Sequence, residues 1–567
     1  MLPPPLPKET PPPLPVRPKK KRSVLGQLFR IFLWTAAIGL FLLVVVVGIG
    51  IALWNNGRAT SWALDTAAKK DKKAAPIERP WPDPNPPKTI AKARTDASSL
   101  KSGADFFSPT NVWLASFHFT DGQWNGLGPD HVAPAKGLFG GDHREFPLSN
   151  TNASRNGLAG AVGLDFKWSA AEVELGGVAI PDAKIRFKGN GTYLHSRTSY
   201  KRPLKLELPK GKKNRLAGER VFNFGNLASD NSGLADTLAY EFFRDAGVPA
   251  PRTAFARTLL TIDGQFTNRP LGLYVMVEDI DERFLEDRFG DKPPTLFKPV
   301  TYHLFKDLGP DWSAYAKIYD PKKKIEEAAQ KRVIECSQFV TTATDEEFAR
   351  RCGEFFDLDE TARFIAVLSL ISSYDGFLNN GQNFYMYLNN ETGQFGFIPW
   401  DLDHSWGGFI YTGTAQQREI ASVMHPLARR VRLVDRLLAA PAFQTVYRKR
   451  VEEIFRKQFD PQRLSKRVDD LGAVIRPVVA EESDYRIQRF EQAMSATPNE
   501  GFREGNPEDP QRPVHKLKVF FEHRAKSVAD QLAGKSEGHI FHLDSSGVEA
   551  AENQPAASEE AGATNKN

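Results

Sequence analysis

The sequence predicts an α+β chain, with a β-rich first half and a mainly helical second half standing behind one N-terminal transmembrane helix. Three observations carry this. Apolar and polar residues alternate, as half-buried strands require, in segments between Val112 and Asp279. Beyond Glu326 the apolar spacing turns helical. From Ile31 to Trp54 run 24 uncharged, mostly apolar residues, enough to cross a hydrocarbon layer of ~30 Å.

The elements before the main domain follow in order. Residues 1–28 hold nine prolines in the first 18 positions, in PPPLP and PPPLPVRP, and then the cluster Lys19–Arg22. They predict a proline-rich basic cytoplasmic tail able to dock a partner with an aromatic groove. The span, 29–54, has more basic residues close before it than close after it, so the N-terminus is expected in the cytoplasm and the large domain outside it. Residues 55–109, with IERPWPDPNPP, read as a stalk. Residues 536–567, rich in Ala, Glu, Ser and Asn, read as a disordered tail. The working domain is therefore 110–535.

Composition excludes some functions. The 75 basic and 69 acidic residues leave a net charge of only +6, part of it in the Lys19–Arg22 cluster, and no nucleic-acid motif accompanies it. Two cysteines, Cys336 and Cys352, cannot build a four-ligand zinc site; one disulfide or two buried thiols are both open.

Within the domain, VWLASFHF (112–119), AKIRFKG (183–189) and LKLEL (204–208) alternate as strands. Ser232 is placed to cap a helix through about Asp245, which Gly247 and Pro249 end. TLLTIDGQ and PLGLYVMVED predict a strand pair turning at Asp263-Gly264. The second half opens with helical pattern, notably 358–373, and ends with 461–496 and 514–532. Between them NFYMYLN (383–389) and QFGFIPWDLD (394–403) predict a hairpin whose second strand runs into acid.

That hairpin carries the chemistry. In SSYDGFLNNGQNFYMYLN an aspartate, Asp375, stands just beyond an apolar helix, with amides following; FIPWDLDHSWGG then supplies Asp401 and Asp403. Phosphoryl transfer needs one carboxylate to orient a hydroxyl and accept its proton, and a carboxylate and amide to hold a divalent cation against phosphates. Asp401 and Asp403, two apart on extended chain, should point to one side. A calcium loop fits poorly, because DLDHSWGG lacks the later bidentate glutamate, and no histidine cluster supports a metal-dependent hydrolase. A β-rich lobe before a helical lobe is also the coarse order of a protein kinase.

The motifs IRFKGNGTY, KRPLKLEL, FNFGNLASDNSGLADTLAYEFFRDAGVPAPR, GLYVMVEDIDERFL, LFKP, YDGFLNNGQNFYMY and FIPWDLDHSWGG, in this order, resemble those of the CotH family of atypical protein kinases. GNGT alone is a weak glycine loop; the series is not. The resemblance implies a divergent two-lobe kinase domain that uses ATP and Mg²⁺ or Mn²⁺ to phosphorylate Ser or Thr of envelope, secreted or coat-like proteins. A non-catalytic binding or structural module on the same scaffold is the alternative. It further implies Asp375 as catalytic acid/base, Lys205 at the nucleotide phosphates with Lys201 as second choice, and Arg186 and Lys188 along the phosphate side. The backbone near Glu278 would meet adenine, or Glu278 would pair with a lysine. Asn383 would be the amide ligand, although strict kinase spacing selects Asn380, and Asp401 and Asp403 share the metal role unranked. A histidine often stands where Gln382 does, and SYD replaces the usual HRD triplet.

Overall fold

The structure, a computed structural model, describes residues 90–129, 155–161, 164–211, 215–300, 304–379, 381–499 and 513–541. The proline-rich tail, the predicted span Ile31–Trp54 and residues 542–567 of the expected disordered tail lie outside them, whereas 536–541 are ordered, His539 C=O accepting from Ser422 N–H and Phe541 being buried. Among the described residues no helix is long and apolar enough to cross a membrane. The expected fold of one transmembrane helix before a two-lobe domain is corrected accordingly, and the extracytoplasmic placement that rested on that helix goes with it.

The alternating first half forms β1 (Val112–Phe119), β2 (Ser169–Leu175), β3 (Val178–Phe187), β4 (Leu204–Glu207) and β5 (Val221–Gly225). After helix α1 (Ala235–Asp245) come β6 (Thr253–Ile262) and β7 (Phe266–Glu278). These seven strands close into a barrel in the order β1-β2-β3-β4-β5-β7-β6, which is a second correction to the expected β-rich lobe. Closure comes from a parallel β1–β6 pairing, with Val112 opposite Phe255; every other neighbour is antiparallel. Closing the sheet leaves no open edge.

Alternation explains the filling. Trp113, Phe117, Phe119, Phe187, Leu206, Phe222 and Phe224 point inward and are all but fully buried. Each such side chain contributes about 1.5–3 kcal/mol by leaving water. Residues 91–109, assigned to the stalk by composition, pack on this barrel: Phe106 stacks on Trp113 with ring centroids 4.8 Å apart, and Arg94 N–H donates to Val112 C=O.

The turn between β6 and β7 is Asp263-Gly264 as expected, with Gly264 at φ +75°. Helix α1 starts later than Ser232. The Asp230 carboxylate accepts from the N–H of Ala235 and from both N–H and hydroxyl of Ser232, so the aspartate ties down the helix entry.

The remainder is built on a three-stranded antiparallel sheet and helices. A short strand β8 (Thr295–Phe297), which lacks a periodic signal of its own, pairs with β9 (Phe384–Leu388), and β9 pairs with β10 (Phe395–Pro399). The helices of this half include α2 (Glu327–Thr342), α3 (Leu358–Leu370), α4 (Pro441–Gln458), α5 (Pro461–Glu482), α6 (Asp484–Met494) and α7 (Leu517–Leu532), of which α3 packs on β10 and α5 on β7 of the barrel. The expected helix 461–496 is two, because Ser483 takes an extended conformation and its hydroxyl caps α6 at Arg486 N–H. Cys336 and Cys352 are both buried free thiols.

The end of α5 clasps the barrel wall. Glu481 pairs with Arg257 at 2.7 Å, while Glu482 pairs with Lys201 at 2.8 Å and accepts from Leu273 N–H. This clasp and the cavity described next draw side chains from both the barrel and the helical half.

Candidate active site

One cavity of about 1750 Å³ collects most of the residues singled out by sequence. Arg186, Lys188 and Lys205 line it from the barrel; Asp375, Asn383, Asp401 and Asp403 line it from the hairpin region. Glu278 does not line it.

The lysine side is set by strand geometry. Arg186 on β3 lies opposite Lys205 on β4 in register, and Lys188, two residues on from Arg186, keeps to the same face. Lys205 Nζ pairs with Asp279 at 2.9 Å, and Asn223 Nδ2 donates to the same carboxylate at 2.8 Å. Burial would raise the Asp279 carboxyl, but Lys205 and Asn223 hold it below its ordinary range. Lys201, the second choice for the nucleotide lysine, is spent on Glu482.

Glu278 faces the other way. It is 1% exposed and accepts from Arg252 Nε at 3.1 Å and Arg288 Nη2 at 2.8 Å. Alternation along β7 and its end places Val275, Val277 and Asp279 on the cavity face and Glu278 behind it. The signal was present in the sequence: the acid one residue further on has the cavity's parity.

The carboxylate side needs more than a strand. Beyond β10 the chain bends at Asp401, whose φ of +59° is a left-handed conformation uncommon for a non-glycine residue. Two side chains one turn apart on α1 hold this bend: Tyr240 hydroxyl accepts from Asp401 N–H at 3.0 Å, and Asp236 accepts from Leu402 N–H at 2.8 Å. Asp236 thereby joins the site, a residue sequence reasoning did not select. Its carboxyl is raised well above the ordinary range by burial and then by Asp403 and Asp401.

Asp403 is pushed up to about 7, chiefly by burial, with Asp401, Asp375 and Asp230 adding negative charge against the opposing pull of His404. Burial would lower His404, but Asp403, Asp375 and Asp401 raise it instead. Asp375 and Asp401 thus both act on Asp403, and all three act on His404.

Asn383 also holds a left-handed conformation, at φ +58°, and its Nδ2 donates to the backbone carbonyl of Asp375 at 2.6 Å. Its own carbonyl accepts from Trp400 N–H at 3.1 Å. One asparagine therefore ties the Asp375 loop to the base of the hairpin. Asn380, the rival amide, lies outside the described residues.

Lys298, from LFKP, completes the wall. Its Nζ lies 4.0 Å from the ring centroid of Tyr385 and 5.1 Å from that of Trp400, whose ring also carries Lys188 at 5.3 Å. Burial lowers both lysines from their ordinary range, Lys298 strongly. Cations desolvated in this way favour an anionic ligand.

The donor set suits a hard divalent cation: carboxylate oxygens of Asp401, Asp403 and Asp236 with excess negative charge, and an amide nearby. Among the described residues no three acidic, histidine or cysteine side chains converge into a ready metal cage. Magnesium bound mainly through substrate phosphates and water needs only one or two carboxylates.

Comparison with known proteins gives a consistent picture. A family model described as CotH kinase protein matches residues 185–528. The chain is 24% identical to the inner spore coat protein H of Bacillus subtilis (strain 168) over 281 residues, 48% of this chain and 73% of that protein. It is 26% identical to the inner spore coat protein H-like protein of the same organism over 255 residues, 45% of this chain and 68% of that protein. A crystal structure of a Helicobacter pylori proinflammatory kinase, CtkA, is matched over 51% of this chain and 95% of its own, at 9% identity and a TM-score of 0.20, too low to carry an argument.

Proposed function

The chain belongs to the CotH kinase protein family, and from that premise we propose that its cavity transfers phosphate from ATP to Ser or Thr hydroxyls of a protein substrate. The observation that carries the proposal is the opposition of two walls in one cavity: Lys188 and Lys205 on one side, Asp375, Asp401 and Asp403 on the other. Anionic phosphates meet the first and an acceptor hydroxyl the second. Coat-like, envelope or secreted proteins are the substrates to try first, since the two Bacillus relatives are named for the inner spore coat.

In this reading Asp375 orients the acceptor hydroxyl and takes its proton as the oxygen attacks. Asn383 fixes the Asp375 loop from below through the bond to its carbonyl. Lys205, kept in place by Asp279, offsets phosphate charge, and Lys188 and Lys298 extend the same positive wall. Asp401 and Asp403, with Asp236 behind them, would hold Mg²⁺ or Mn²⁺, with the Asn383 amide oxygen as a further donor. The bound cation would supply neutralisation of the phosphate oxygens. Trp400 and Tyr385 shield the lysines from water, which strengthens their interaction with an anion.

The test incubates the full chain with labelled ATP, Mg²⁺ or Mn²⁺ and candidate coat-like proteins, beside Asp375→Asn and Asp403→Asn. Labelling by the parent and its loss in both variants is expected. Equal labelling by all three proteins sinks the proposal. ATP binding without transfer by any of them selects a non-catalytic module on the same scaffold instead.

A further inference from the structure

Beyond the lysines the cavity wall continues into ground that phosphate transfer does not use. Arg186 stands two residues before Lys188 on β3, a step of about 6.6 Å along one face. Its guanidinium lies 5.1 Å from the ring centroid of Trp168, and its Nε is buried without a hydrogen-bond partner. Arg155 faces the same part of the cavity, donating to Leu164 C=O at 2.8 Å and lying 5.5 Å from the ring centroid of Phe166.

Among the described residues neither arginine forms a salt bridge. The neighbouring carboxylates are committed elsewhere or stand in water. Asp279 holds Lys205 and Asn223; Asp320 holds Lys322 and accepts from Asn156; Asp165 is exposed. The two guanidinium groups thus share one cavity, with no ion pair to either among the described residues. Burial, and then the charge of Arg186, pushes Arg155 down to about 10, and burial lowers Arg186 as well. An oxyanion between them would remove that cost and meet two planar donor forks suited to bidentate contact.

We propose that Arg155 and Arg186 form an oxyanion subsite that recognises a carboxylate side chain of the protein substrate, beside the hydroxyl to be phosphorylated. The proposal rests on the phosphotransfer reading and names the substrate class for the same cavity. Two observations favour the protein substrate over the nucleotide as the source of the anion. The family match, residues 185–528, contains every candidate catalytic residue, whereas Arg155 and Trp168 precede it and Arg186 stands at its very start. The cavity, at about 1750 Å³, also exceeds the 300–1,000 Å³ of ordinary small-molecule pockets, which leaves room for a peptide beside ATP. Trp168, 42% exposed at this end, offers that peptide an aromatic surface to pack on.

The test reads binding without catalysis. The full chain is titrated calorimetrically, without ATP, with a serine peptide flanked by aspartates and with its asparagine counterpart. The aspartate peptide is expected to bind about tenfold more tightly, the scale of one charge-assisted pair. Arg155→Gln should abolish that preference with unchanged ATP affinity and a melting temperature no lower than the parent's, and Arg155→Lys should retain part of it. Equal affinity for the two peptides, or no binding of either, overturns the proposal. So does a matching loss of ATP affinity in Arg155→Gln, which would assign the subsite to the nucleotide. Each of these failures leaves the Asp375→Asn labelling experiment standing, so the two readings fail separately.

Discussion

The two walls of the cavity are built by opposite means. On the barrel wall, Lys205 and Asp279 neutralise each other, and strand register puts Arg186, Lys188 and Lys205 where they are without unusual backbone. On the hairpin wall, carboxylates are gathered against their mutual repulsion, on a chain bent through left-handed residues at Asn383 and Asp401 and held by α1. On the first wall the Lys205–Asp279 pair is at rest alone. The second carries a charge excess that a cation would relieve, and such unrelieved electrostatics mark functional sites more often than structural ones.

The largest effect expected from breaking this contrast is at Asp375. Asp375→Asn should lower phosphate transfer by roughly two to four orders of magnitude, the usual reach of general base catalysis, with ATP affinity retained in a binding titration. Thermal melting close to the parent's would separate lost chemistry from lost fold.

Lys205→Met should damage both function and stability. It removes a phosphate contact and leaves Asp279 largely buried with only Asn223, at a cost of about 2 kcal/mol, less than for a fully buried pair because some water reaches it. Adding Asp279→Asn should recover most of the stability and none of the transfer rate. A double variant no more stable than the single one would show that the pair does not hold the wall.

The walls should also answer pH with opposite signs. Asp279 has a lowered carboxyl, so its contribution to stability is present above the ordinary carboxylate range and is lost as pH falls through its folded-state value. Asp403 has a raised one, so the folded state holds the proton more tightly than the unfolded state between about 4 and 7, and stability from this group falls as pH rises through that window. In chelator, Asp403→Asn should therefore melt a few degrees above the parent at pH 8 and near it at pH 4. Mg²⁺ or Mn²⁺ should raise the parent's melting temperature more at pH 8 than at pH 6. A metal-induced shift independent of pH would contradict the coupling.

The smallest effect on activity is expected at Glu278. Glu278→Gln weakens the buried anchor of Arg252 and Arg288, lowering stability by about 1–3 kcal/mol, while ATP affinity changes less than twofold. A larger loss of nucleotide binding would return this residue to the site.

What was legible in the sequence divides along the same line. The strands, the Asp263-Gly264 turn, the β9–β10 hairpin and the helical second half follow from periodicity, a local property. So does the parity that places Lys205 in the cavity, and the same parity, followed one residue further, favours Asp279 over Glu278. The carboxylates Asp375, Asp401 and Asp403 were legible because their spacing and order resemble a family pattern. Asp236 and Tyr240 were not, since both stand in a helix with an adequate local explanation, and Lys298, although inside LFKP, has no local signal for its place; all three join the others only through packing.

Sequence alone determined the succession of strand and helix and the residue types able to handle phosphate, because periodicity and side-chain chemistry are written position by position. Tertiary structure alone decided that the strands close into a barrel through β1 and β6, that Lys201 is taken by a helix clasp, and that α1 bends the chain at Asp401. Those outcomes depend on which distant groups meet, and a buried charge takes whichever partner the packed chain brings within reach.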